Sequence, residues 1–321
     1  MLADYCTLWH LQMLCLYVVA NCALPWYAIY KNSRMKPDAA RDVERFKPWV
    51  RLDTQHWSYM RCIFTHFFFL IRHLTLLLML FYLFITTQIM AIGVSLDNLG
   101  PKRRWLIIEH SRYFMIVFGR FMGVANFTTR RPKVDYSKWL GPDWKPTYEG
   151  ASMLVSNHQG WIEVFNMFLF VRPMPGFIAK QGVKGIPTVG VIATSVGSVY
   201  LDRTVKQDRN KVFEVILERQ EKAEKGLAGP LIVFPEGCTT NGEYLVRFKK
   251  GAFASLKPVK PYCNRSTSLV GRNVLGDTMN FWDWTFIILN MNIATWAECL
   301  EMPIFAPNEY FWKHYWDGKD P

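Results

Sequence analysis

No C-x-x-C pair occurs in this sequence, and its cysteines are odd in number: Cys6, Cys15, Cys22, Cys62, Cys238, Cys263 and Cys299. That argues against a disulfide framework and for a reducing environment around the soluble part, with most of the cysteines as small buried hydrophobes. No Lys or Arg precedes the first apolar run, so a standard export signal is not expected, nor is an Arg- and Ser-rich transit peptide. Zinc-finger spacing, an RNA-recognition signature and long Lys/Arg tracts are all missing, which sets nucleic acid aside as a partner. There is no internal repeat and no low-complexity tract. Acidic residues are the minority, 26 against 38 Lys and Arg, for a net charge of +12. Beside apolar runs, that balance points to anionic lipid or a phosphate-bearing cofactor.

Charge is absent from two long stretches. Thr7 to Tyr30 contains no Asp, Glu, Lys or Arg. At ~1.5 Å per residue a helix of this length crosses a ~30 Å hydrocarbon core. His10, Gln12, Asn21 and Pro25 keep an interfacial or partner-packed helix open as the alternative. Cys62 to Leu96 is the strongest hydrophobic stretch, charge-free from Leu74, and reads as one long tilted helix or as a hairpin within one leaflet. Arg72 near its start is expected to snorkel to the interface. Basic residues flank the second stretch on both sides, eight between Lys31 and Arg61 and then Lys102, Arg103, Arg104 and Arg112. A single crossing would put them on opposite sides, so a re-entrant or interfacial segment is expected there. Trp105 to Phe127 has the spacing of an amphipathic helix, on the membrane surface or on the domain core. Residues 1–97 are therefore expected to form membrane-associated helices with a basic loop, and 98–321 a separate α/β domain.

From Ala151 strands and helices alternate. Strands are expected at Ala151–Ser156, Phe177–Lys180, Gly197–Leu201 and Leu231–Phe234. Helices are expected at Trp161–Val171, Pro187–Val196 and Asp208–Lys225, the last with Asp208 as N-cap and Gly226 as its stop. This alternation defines an α/β layered class.

Four short motifs sit at the strand ends. In Asn157-His158-Gln159-Gly160-Trp161-Ile162-Glu163, five steps of ~100° would separate His158 from Glu163 on one continuous helix. They meet only if His158 precedes the helix and Glu163 lies in its first turn. A carboxylate on Nδ1 would then leave Nε2 as a general base. Read alone, the pair also fits a satisfied turn histidine. Phe234-Pro235-Glu236-Gly237-Cys238-Thr239-Thr240-Asn241 delivers a carboxylate, hydroxyls and turn N–H groups, suited to phosphate or glycerol oxygens or to nothing more than a strand-end turn. Lys249 and Lys250 follow, ahead of an expected helix, an arrangement that suits an anion or a solvated loop. Gly197 to Arg203 ends in an Asp202–Arg203 pair whose guanidinium can fork onto phosphate or pair on the surface. Ala179-Lys180 places one more cation at a strand end.

Together, in this order, the motifs resemble the glycerolipid acyltransferase family, whose pattern is N-H-x4-D, then A-K, then G-x4-D-R, then F-P-E-G. The likeness runs from about residue 105 to 310. The stretch from Phe234 to Phe253, with Trp284-Thr285 and Pro307-Asn308-Glu309, is most similar to the lysophosphatidylcholine and lysophosphatidylethanolamine acyltransferases. The sequence ends soon after, so the calcium-binding hands of some relatives are not expected within it.

The resemblance implies an acyl-CoA:lysophospholipid O-acyltransferase of phospholipid synthesis or remodelling. It implies an integral membrane protein of the endoplasmic reticulum or a mitochondrial membrane, in contact with membrane lipid. His158 would be the base, supported by Glu163. Lys180, Arg203, Glu236, Gly237 and Thr239 would hold the substrates. No metal and no permanently bound cofactor is implied, and acyl-CoA enters as co-substrate. Glu163 stands where the family has Asp. One extra methylene moves a carboxylate by about 1 Å, enough to cost ~100-fold in rate. The alternative is therefore a catalytically degenerate, acyltransferase-like structural subunit, held by partner subunits in a larger membrane complex.

Overall fold

The computed structural model of the chain describes residues 2–35, 44–160, 162–201, 206–253, 255–269, 271–272, 279–292 and 294–318. Helices α1 (Leu2–Lys31) and α2 (Tyr59–Ala91) form an antiparallel hairpin. Trp26 Nε1 donates to Tyr59 O at 3.0 Å, and the Leu70 N–H donates to Asn21 Oδ1 at 2.7 Å. Within them, Thr7–Lys31 and Phe69–Ala91 are long and apolar enough to cross a membrane, by length and composition.

One stripe of α2 is exposed and apolar, through Ile71, Leu74, Leu78, Phe81, Ile85 and Ile89. These lie three or four residues apart, on one helical face. The opposite face, with Phe69, Leu76 and Leu83, is buried. Arg72 does not snorkel. Its guanidinium donates to Leu289 O (2.6 Å), Asn292 O (3.1 Å) and Phe121 O (3.3 Å), capping the carbonyl ends of two helices. Unsatisfied carbonyls at a helix C-terminus carry partial negative charge, so a cation is better placed there than in an apolar phase.

Helix α3 spans Pro101–Phe121, with proline at its first turn. Ile107, Phe114 and Phe118 face inward, while Trp105, Leu106, Tyr113, Ile116 and Val117 are exposed. The helix expected to reach Phe127 stops at Phe121. Gly123, at φ +88°, turns the chain into strand β1 (Val124–Arg130). A short helix α4 (Ser137–Leu140) follows. The alternating region then gives β2 (Met153–Ser156), α5 (Ile162–Phe170), β3 (Gly176–Lys180), α6 (Pro187–Ser195), β4 (Val199–Leu201), α7 (Lys206–Glu224) and β5 (Leu231–Val233). Asp208 lies inside α7 and is not its N-cap. Gly226, at φ +70°, ends that helix as expected. The chain closes with β6 (Val259–Ser268), β7 (Gly271–Arg272), α8 (Phe281–Met291), β8 (Thr295–Glu301) and α9 (Glu309–His314).

Among the described residues the strands form one sheet in the order β1-β8-β6-β2-β5-β3-β4, with β7 paired to β6. The block β6-β2-β5-β3-β4 is parallel throughout. β8 runs antiparallel to β6, and β1 parallel to β8. All four residues of β2 are buried, as a parallel strand covered on both faces requires. One apolar core joins Ile29 of α1 and Leu76 of α2 to Leu154, Phe168, Ile232 and Ile288.

Candidate active site

Because β2, β5, β3 and β4 are parallel, their C-terminal ends share one edge of the sheet, the usual place for a site in such folds. His158 follows β2, Glu236 follows β5, and Lys180 ends β3. Lys180 is two strand spacings from β2, about 10 Å. It is exposed and has no ion-pair partner among the described residues. Asp202 and Arg203 lie outside the described residues.

His158 precedes α5, and Glu163 lies in that helix's first turn. The five-residue spacing therefore closes as expected. Glu163 is fully buried, and its carboxylate is held by main-chain donors. Oε1 accepts the N–H of Gln159 (2.7 Å) and Oε2 that of Gly160 (3.0 Å). Oε2 stands 3.4 Å from His158 Nδ1, longer than the 2.6–3.2 Å of a tight acid–base pair. The His158 ring stacks on Phe234, 4.3 Å between centroids and 18° between planes, and about a quarter of the side chain (26%) remains exposed. The ring is thus fixed on one face and one edge.

Glu236, 2% exposed, turns inward. Oε1 accepts the His158 N–H at 2.8 Å, and Oε2 accepts the Val246 N–H at 3.2 Å. Burial pushes this carboxyl above its ordinary range, against the pull of those two N–H groups. It ties the histidine turn to the segment after the Pro-Glu-Gly turn. The Thr240 N–H adds a second tie, donating to His158 O at 2.8 Å. Gly237 holds φ +70°, and a Cβ there would collide with the Lys249 side chain. Lys250 begins a single 3-10 turn, Lys250–Ala252, so the helix expected after the two lysines is not formed and offers no helical anion site. Thr239 lies in the same turn, half-buried.

Two contributors carried no sequence signal, Asn264 and the segment before α2. β6 runs past the end of β2, and there Asn264 bonds to Asn157, Gln159, Asn166 and Ser156. This lone Asn in a strand has no spacing relation to the motifs. Beside it Gln159, Asn241, Tyr244 and Arg265 line a cavity of about 210 Å³. The segment before α2 also closes on the site, since Asn241 bonds to Lys47 O, Pro48 O and Val50 O. Arg51 and Asp53, both buried, pair at 2.7 Å within that segment.

His158, with a buried carboxylate facing its Nδ1, thus lies at the C-terminal edge of the parallel strands, and residues 126–263 match the acyltransferase family model. The chain is 31% identical over 171 residues to a lysophospholipid acyltransferase of Arabidopsis thaliana, covering 51% of this chain and 40% of that protein. It is 26% identical over 168 residues to lysophosphatidylcholine acyltransferase 1 of Homo sapiens, covering 50% and 29%. A 1-acyl-sn-glycerol-3-phosphate acyltransferase of Neisseria gonorrhoeae is 28% identical over 110 residues, covering 34% and 40%. Among solved structures, the 1-acyl-sn-glycerophosphate acyltransferase of Thermotoga maritima gives a TM-score of 0.44 at 18% identity, over 78% of this chain and 90% of that one. The chain thus resembles the glycerolipid acyltransferases in sequence, and its matches span less than half the length of the curated relatives.

Proposed function

We propose that this protein is a membrane-bound acyltransferase that moves a fatty acyl group from acyl-CoA to the free hydroxyl of a lysophospholipid. The observation that carries the reading is His158, partly exposed, with its Nδ1 edge turned to the buried Glu163 carboxylate. Nε2 takes the proton from the acceptor hydroxyl as that oxygen attacks the thioester carbonyl. The C–S bond breaks, and CoA leaves as thiolate. Glu163 stabilises the imidazolium that forms. Lys180 and the turn at Gly237 and Thr239 bind the phosphate–glycerol part, with Arg203, while Glu236 braces the histidine turn. The apolar stripe of α2 and the exposed face of α3 rest in lipid, where a two-tailed substrate resides.

The 3.4 Å His–Glu separation favours a second reading, a degenerate subunit of a membrane complex. One experiment separates the two. Purified full-length protein in detergent is offered acyl-CoA and a panel of lysophospholipids, and released CoA thiol is counted. Transfer that disappears in His158→Ala supports the enzyme. No transfer with any acceptor sinks it.

A further inference from the structure

A larger cavity, about 930 Å³, lies at the opposite edge of the sheet. It is lined where β3, β4 and β5 begin, by Met174, Val199 and Gly229, and by the N-terminal half of α3. Strands of three to five residues, at about 3.3 Å each, place it some 10–17 Å from the His158 edge. Five cations line it: Arg104, Arg112, Arg172, Arg219 and Lys222. Only two carboxylates join them: Asp97, which pairs with Lys184 at 2.9 Å, and Glu109, which neutralises Arg112 within the lining. Lys222 pairs with Glu218. Arg104, Arg172 and Arg219 have no carboxylate within ion-pair distance among the described residues.

Part of this arrangement is structural. Arg104 Nε donates to Leu99 O, Arg219 Nη2 to Gly197 O, and Arg172 Nη1 to Phe168 O and Val171 O. These bonds hold each guanidinium in place but use one nitrogen apiece. Nη1 and Nη2 of Arg104, Nε and Nη1 of Arg219, and Nε and Nη2 of Arg172 keep their N–H groups without a partner among the described residues. Gly197 is required for the arrangement. It holds φ +73°, and a Cβ there would press on the Arg219 guanidinium. Burial, and next the charge of Arg104, lower the proton affinity of Arg219; burial and then Arg112 do the same to Arg172. Like charges held together with free donors are stabilised by a multivalent anion, and forked N–H pairs match phosphate oxygens.

We propose that this cavity is a second site, separate from the acyl-transfer edge, that binds a phosphate-bearing anion. Exposed Trp105 stands on its rim, on the helix whose outer face is apolar, so a phospholipid head group and a soluble phosphate both have access. The proposal does not depend on the catalytic reading, and its test needs no turnover. Full-length protein in detergent is titrated with inorganic pyrophosphate by calorimetry. In parallel, its binding is measured to phosphatidylcholine vesicles with and without phosphatidic acid.

Arg104→Gln with Arg219→Gln should weaken binding at least about tenfold, the loss expected for charge-assisted bonds. Arg219→Lys, which keeps the charge, should retain most of it. Lys133→Ala, an exposed lysine beyond β1 at the far end of the strand order, should leave it unchanged. Should the double variant fail to fold, Arg104→Gln alone decides, because its one internal bond is to Leu99 O. An effect confined to the phosphatidic acid vesicles assigns a lipid head group, and one confined to pyrophosphate a soluble ligand. The proposal is overturned if neither probe binds saturably, if the arginine variants bind like the parent, or if Lys133→Ala weakens binding as much as they do.

Discussion

Replacing Glu163 by Gln keeps the side chain's size and removes its charge, so it isolates what the carboxylate does for His158. In the parent, Oε2 receives the Gly160 N–H at 3.0 Å and faces His158 Nδ1 at 3.4 Å. Both approach as donors when the imidazole carries its proton on Nδ1. In Glu163→Gln, Oε1 still serves Gln159 and Gly160, at 2.7 and 3.2 Å, and the amide NH₂ takes the place of Oε2. Donor then meets donor. The imidazole escapes by moving its proton to Nε2, the atom that has to accept one from the substrate. The expected loss in kcat is on the order of 10⁴-fold, as when a buried carboxylate behind a catalytic histidine becomes an amide. Stability should fall by only about 1 kcal/mol, because the Gly160 N–H keeps a second acceptor. Glu163→Asp tests the same point differently. Asp is the residue that the glycerolipid acyltransferase pattern has at this position. Here shortening the side chain draws the carboxylate away from a histidine already 3.4 Å distant and from three main-chain bonds, so activity should drop by about 10–100-fold. The assay is CoA-thiol release under saturating acyl-CoA, with Tm measured on each variant. If Glu163→Gln turns over within about threefold of the parent, the tautomer argument is wrong, since no other carboxylate contacts Nδ1 among the described residues.

His158→Ala should abolish transfer while leaving Tm nearly unchanged. The ties to Glu236 and Thr240 run through the residue's main chain; a collapse in Tm would show the side chain to be structural. Asp283→Asn should loosen α1 from α8, because Asp283 Oδ2 accepts from Lys31 (3.0 Å), Asn32 (3.1 Å) and Asn280 (2.6 Å). About 1–3 kcal/mol is at stake, read from denaturant unfolding. Burial pushes the Asp283 carboxyl upward, but the Asn32, Lys31 and Asn280 bonds together hold it below its ordinary range. A depressed carboxyl stabilises above its unfolded value and loses that contribution as pH falls through the folded one. The gap between parent and Asp283→Asn should therefore be full at neutral pH and close in acid below about pH 4. Alkaline carbonate washing of membranes should leave the protein in the pellet, since the α2 stripe needs an apolar phase; its recovery in the wash would remove the lipid-facing assignment.

The parts of the site visible in the sequence are those encoded by neighbours along the chain. His158 and Glu163 could be paired because the helix start between them has a local signal, and Gly226 could be read as a stop from its conformational freedom. Asn264 could not, because nothing near it indicates that β6 overruns β2; that register is set by the distant partner β8. Arg72 misled for the same reason. A lone Arg in an apolar run has a local answer, snorkelling, whereas the true answer is two helix ends more than forty and two hundred residues away. The Lys249-Lys250 run looked like a helix entrance because its composition allows one; the chain instead returns to the sheet after a single turn.

Four motifs that are weak singly become specific jointly because parallel strands share a direction. Each of β2, β3 and β5 hands its following residues to the same edge, whatever the sequence distance between strands. A histidine after one, a lysine at the end of another and a carboxylate after a third are thereby forced within a few strand spacings. The opposite edge of the same strands faces Arg104, Arg172 and Arg219, which have no carboxylate within ion-pair distance among the described residues. The two edges are separated by the full length of the strands, so a substitution at one should not reach the other through contact. Loss of transfer with intact anion binding in His158→Ala, and loss of anion binding with the His158–Glu163 geometry unchanged in Arg104→Gln, are then independent outcomes. Coupling between them would require the strands to shift as a block. That would disturb the buried β2 register against β5 and β6 on which both edges depend.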